Sequence, residues 1–108
     1  MNPTFEDLKH ALRKRTQEDF SKCEDWSLND WMVALTGEVG ELANFFKKIR
    51  RGDLSFEDPD VCIEIGHEFG DIFAYLIILA DKAGYGLLQV SADKFNIVSE
   101  RMNSEIKI

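Results

Sequence analysis

The sequence predicts an all-α fold, an antiparallel four-helix bundle made by a single domain over residues 1–108. Three observations predict it. Apolar residues recur at three- and four-residue intervals in successive stretches. No stretch alternates apolar and polar residues long enough to make a strand. Pro3 and Pro59, the two prolines, both stand where a helix can begin.

Asn2-Pro3 reads as a cap followed by proline in the first turn, opening a helix that reaches about Phe20. Ser21 to Ser27 is a connection. Ser27, with Asp30 three residues on, starts a second helix running to about Ile49. Arg50-Arg51-Gly52-Asp53 closes it, with basic residues against the helix C-terminus and glycine just beyond. Residues 52–58 form a polar loop. Asp58-Pro59-Asp60 opens a third helix that continues to about Lys82 and stops at Gly84 or Gly86. A fourth helix covers Leu87 to about Met102.

Composition narrows the function. A content of 44% hydrophobic and 31% charged residues is that of a folded globular chain. The net charge of −7, from 20 acidic and 13 basic residues, repels phosphate and argues against duplex nucleic acid or an anionic membrane as partner. A small phosphorylated ligand can still bind where cations neutralise it. Cys23 and Cys62 lack metal-site spacing and read as reduced thiols, which points to a cytoplasmic protein. No signal peptide is legible at the N-terminus. The longest apolar run, Ile72 to Ala80, has about half the length needed to cross a bilayer.

Two acidic pairs carry the chemistry. Glu38/Glu41 and Glu68/Asp71 share a three-residue spacing, which sets each pair about 60° apart on one helix face. Adding about 100° per residue places Trp31, Leu35, Leu42 and Phe45 within about 60° of Glu38. Glu38 therefore sits amid an apolar face, where an unpaired charge costs several kcal/mol, of order 3–5. On the third helix Glu64, His67, Glu68, Asp71 and Tyr75 share one stripe, and Ile65, Phe69, Ile72, Phe73 and Leu76 lie opposite. A short loop makes the two helices antiparallel neighbours, so the pairs can face each other. Four carboxylates so placed suit a hard divalent cation. Glu64-Ile-Gly-His67 is also a Glu-x-x-His motif of the di-iron type, but a second copy is missing and His67 is given no metal role.

Gly37-Glu38-Val39-Gly40-Glu41-Leu42, followed by Glu68-Phe69-Gly70-Asp71, resembles the signature of the MazG-like all-α nucleotide pyrophosphohydrolases. The stretch Trp26 to Asn44 is most similar to the dCTP-pyrophosphatase branch, and the resemblance covers roughly residues 20–104. It implies that Glu38, Glu41, Glu68 and Asp71 bind Mg²⁺, with Mn²⁺ as a substitute. Tyr75 matches an aromatic position near the family's substrate pocket, and Lys94-Phe95-Asn96 with Arg101 matches a segment that contacts substrate phosphates. Many family members carry a further acid just before the first pair, where this chain has Gly37.

The implied reaction is hydrolysis of a nucleoside or deoxynucleoside triphosphate to the monophosphate and pyrophosphate, with Glu38 and Glu41 nearest the attacking water. Trp26, Trp31, Phe45 and Phe46 lie near the first pair, where they either stack on a base or pack in the core or an interface, and Lys47 and Lys48 either approach phosphates or face solvent. The resemblance also implies a homodimer or homotetramer. Large apolar groups such as Phe46, Phe69 and Phe73 point the same way, since a bundle this small hides few of them. The rival reading is a non-catalytic helical oligomer whose acidic cleft holds a structural divalent cation.

Overall fold

A computed structural model describes residues 2–108. The described residues form four helices and no strand: α1 (Phe5–Glu18), α2 (Leu28–Arg51), α3 (Pro59–Lys82) and α4 (Leu87–Arg101). A 3-10 turn at Ser21–Cys23 lies between α1 and α2. No helix is long and apolar enough to cross a membrane among these residues.

Local chemistry sets most of the boundaries. The Ser27 hydroxyl accepts from the Asp30 amide at 3.2 Å, and the Asp30 carboxylate accepts from the Ser27 amide at 2.8 Å. Two amides left over at the start of α2 are thereby satisfied. Gly52 ends α2 in the left-handed region at φ 87°, which glycine adopts without a Cβ penalty. Asp58 caps α3 through the Asp60 amide, with Pro59 in the first turn. α1 starts later than the Asn2-Pro3 pair predicts. Thr4 and Asp7 make a reciprocal capping box, at 3.0 and 3.1 Å, and two satisfied donors outweigh a proline start. α1 also stops at Glu18, two residues short of Phe20, and α2 runs on to Arg51.

α2 and α3 pack along each other in opposite directions. Trp31 meets Tyr75 at one end, with rings 6.0 Å apart, and Phe46 stands near the loop residue Phe56 at the other. Val61, Ile65, Trp31 and Leu35 are buried between them. Each aliphatic side chain so removed from water stabilises the fold by about 1.5–3 kcal/mol. α1 lies against the far side of α3 and runs parallel to it, since Phe5 meets Phe73 and Arg13 meets Asp81. Leu12 and Ile77 fill that contact. α4 approaches α3 alone and stands clear of α2.

Candidate metal centre and aromatic cavity

The antiparallel pairing of α2 and α3 brings Glu38 and Glu41 to Glu68. One carboxylate oxygen from each lies within 4.8 Å of the other two. Glu38 and Glu68 are half-buried, and Glu41 is exposed. One oxygen of Glu38 and one of Glu68 is buried without any hydrogen-bond partner. Burial first, and then the neighbouring Glu41, Asp71 and Glu68 charges, push the Glu38 carboxyl up to about 7. Glu68 shifts upward too, mainly through desolvation and next through Glu41.

These three residues can hold a cation. The donor set is oxygen only, it is crowded with like charge, and two of its oxygens lack a donor from the protein. Each of those properties fits a hard divalent ion. Neither Glu64 nor His67 joins the group, so the Glu-x-x-His motif contributes nothing to it.

Asp71 stands one turn beyond Glu68 and outside the three-carboxylate group, although its charge acts on Glu38 and Glu68. Its place is the wall of an adjoining cavity of about 280 Å³, together with Arg15, Phe20, Trp26, Trp31 and Tyr75. Trp26 packs edge-on to Trp31 at 4.7 Å. Trp31 is only 3% exposed, and its indole nitrogen has no acceptor. The cavity offers aromatic walls beside a carboxylate, an arrangement that accommodates a flat heteroaromatic ring.

Arg15 and Phe20 were not legible as site residues. They come from the end of α1 and the connection after it, where the Arg15 guanidinium sits 5.6 Å over the Phe20 ring. In sequence, Arg15 reads only as a cation in the last turn of a helix. Lys94, Asn96 and Arg101 neither join the carboxylate group nor line the cavity. Asn96 is engaged elsewhere: its amide donates to the Ile108 carbonyl at 3.0 Å and accepts from the Ile108 amide at 2.9 Å. Lys48 lies in the last turns of α2, half-buried and away from the cavity wall.

No protein-family model matches the chain, and no curated protein matches it in sequence.

Proposed function

We propose that the chain is a MazG-like pyrophosphohydrolase that converts a nucleoside or deoxynucleoside triphosphate to its monophosphate and pyrophosphate. The observation that supports this reading best is the adjacency of two kinds of subsite. An oxygen-only cluster with two unpartnered buried oxygens lies next to an aromatic cavity, and Asp71 takes part in both surroundings. A nucleotide has this division of chemistry, with a polyanion at one end and a flat base at the other. The motif resemblance of Glu38, Glu41, Glu68 and Asp71 points to the same substrate.

Glu38, Glu41 and Glu68, with Asp71 beside them, would hold Mg²⁺. When bound, the ion supplies charge neutralisation for the phosphates and lowers the pKa of a coordinated water. The chain's own groups do the rest. A carboxylate of the Glu38/Glu41 pair takes the proton of the water whose oxygen attacks phosphorus, as the bond to the pyrophosphate oxygen breaks. Trp26, Trp31 and Tyr75 orient the base and keep water from that end of the substrate. Lys94 and Arg101, which the motif resemblance sets against the substrate phosphates, stand outside both the carboxylate group and the cavity, and the Asn96 side chain is taken up by Ile108.

The test is a panel of NTPs and dNTPs with Mg²⁺, assayed for pyrophosphate, beside Glu38→Gln and Asp71→Asn. Release from at least one nucleotide, reduced at least about a hundredfold in Glu38→Gln, is expected. No release from any nucleotide, with Mg²⁺ still bound, leaves the structural-cation reading in its place.

A further inference from the structure

Two groups in the wall of the aromatic cavity have a fixed hydrogen-bonding sense. The Asp71 carboxylate, when ionised, only accepts, and the Arg15 guanidinium only donates. The other polar side chains there, Thr16, Cys23 and Tyr75, carry hydrogens that turn to meet a donor or an acceptor alike. What the cavity tells apart therefore depends on where Asp71 and Arg15 stand along it.

The packing of α1 on α3 sets them at opposite ends. Arg13 binds Asp81, so Arg15, further along the parallel helix α1, lies level with the end of α3. Asp71 comes ten residues before Asp81, about 15 Å back along the helix axis. Glu68 and the carboxylate group lie a further turn in that direction. The cavity thus runs from an acidic end beside the carboxylate group to a cationic end at Arg15.

Arg15 is held in place with its donors open. Its guanidinium stands 5.6 Å over the Phe20 ring, a contact that steadies the group without consuming its N–H donors. None of the ion pairs among the described residues involves Arg15, although Glu18 and Asp19 follow it closely in sequence. The guanidinium also keeps its proton at any working pH, so this end of the cavity never becomes an acceptor.

A nucleotide enters such a cavity in one sense. With its phosphates drawn to a cation on the carboxylate group, the base lies among Trp26, Trp31 and Tyr75. The base edge farthest from the sugar then faces Arg15. Uracil, thymine and guanine carry a carbonyl oxygen at that edge, whereas cytosine and adenine carry an amino group. The carbonyl accepts from the guanidinium. The amine sets donor against donor beside a fixed positive charge and leaves both unpaired.

Resting on the pyrophosphohydrolase reading, we propose that Arg15 selects nucleotides whose base has a carbonyl oxygen at that edge, namely uracil, thymine or guanine, over those of cytosine and adenine. This choice differs from the cytosine in the name of the branch that Trp26 to Asn44 resembles. Arg15 lies outside that stretch and before the start of the wider resemblance near residue 20.

Monophosphates test the choice apart from any hydrolysis. Quenching of the Trp26 and Trp31 fluorescence in Mg²⁺ follows the binding of dUMP against dCMP, and of dGMP against dAMP. The carbonyl-bearing member of each pair should bind about ten- to hundredfold more tightly. Arg15 is exposed, so Arg15→Gln should keep the far-UV helix signal. Its amide both donates and accepts, which should bring the members of each pair within about threefold. Arg15→Lys keeps the charge and should retain the order. Equal binding within each pair by the wild type, tighter binding of dCMP or dAMP, or no binding of any of the four overturns the inference. So does a preference that survives Arg15→Gln. Pyrophosphate release from the triphosphates is assayed separately. The expected binding order with no release removes the hydrolase reading and leaves the selection by Arg15, and release without base preference does the reverse.

Discussion

Glu38 and Glu68 converge from antiparallel helices, and each buries one carboxylate oxygen that meets no hydrogen-bond donor. Folding thus holds two like-charged groups together with Glu41 alongside, against both their desolvation and their mutual repulsion. Neither buried oxygen finds a donor within the protein to offset that cost. The arrangement also makes the cation-free protein sensitive to pH, with a definite sign.

A carboxyl whose folded pKa is raised holds its proton more tightly in the folded chain than in the unfolded one. Its stabilising contribution is complete below the unfolded value of 4.5 and is lost as pH rises through about 7. Glu68 acts in the same direction. The melting temperature of the protein in EDTA should therefore fall as pH is raised across that window, and Mg²⁺ should flatten the fall. Glu38→Gln should remove much of the slope and raise the cation-free melting temperature near pH 8 by roughly 2–5 °C. A circular-dichroism melt series decides it, and a wild-type profile that rises across the window would contradict the electrostatic account.

Trp26 and Trp31 separate packing from binding. Trp31 is 3% exposed and Trp26 is 37% exposed, although both line the same cavity. Trp31→Ala should cost about 3–5 kcal/mol of stability, because it empties a core position. Trp26→Ala should cost about 1 kcal/mol or less, yet weaken nucleotide binding about tenfold through lost stacking. Denaturant melts and calorimetric titration on both variants measure the two effects. Equal stability losses in the two variants would dissolve the distinction.

Sequence reasoning reached the features that depend on local chemistry. Ser27, Gly52, Asp58 and Pro59 marked helix ends because capping and left-handed geometry are decided within a few residues. The placing of Glu38 amid Trp31, Leu35 and Leu42 was legible because helical periodicity fixes which residues share a face. Phe69 and Phe73 show the limit of that signal. Periodicity marked them as apolar neighbours of Ile65 and Ile72, yet they remain exposed in the chain while Ile65 is buried. An apolar stripe wider than one partner helix does not say which part that partner covers. Arg15 and Phe20 were missed for a related reason: they reach the cavity only through the packing of α1 on α3.

Arg13 clamps α1 to α3 by donating to both carboxylate oxygens of Asp81, at 2.9 and 2.6 Å, with Lys9 at 4.0 Å. The Arg13 hydrogen bond, working against some desolvation, holds the Asp81 carboxyl below its usual range. A lowered folded pKa stabilises above the unfolded value of 3.8, and that stability is lost as pH falls through the folded value. Asp81→Asn should cost about 1 kcal/mol at pH 7 and nothing further in strong acid. A double-mutant cycle with Arg13→Gln, run by urea melts at pH 7 and pH 2, should show coupling only at the higher pH.

Asn96 tests how the end of the described chain is held. Its side-chain amide grips both backbone groups of Ile108, and Lys107 reaches the Asn96 carbonyl and the Glu100 carboxylate at 3.4 Å each. Those contacts fold residues 104–108 back along α4. Asn96→Asp keeps the acceptor for the Ile108 amide but sets a carboxylate oxygen against the Ile108 carbonyl, so the grip should open. Hydrogen exchange at the Ile108 amide should then accelerate by about tenfold or more, a loss of roughly 1.4 kcal/mol in local stability. The same variant separates a strap from a phosphate contact. A strap gives faster exchange with unchanged nucleotide affinity, because neither the carboxylate cluster nor the cavity includes Asn96. Weaker nucleotide binding with exchange unchanged would instead place Asn96 on the substrate.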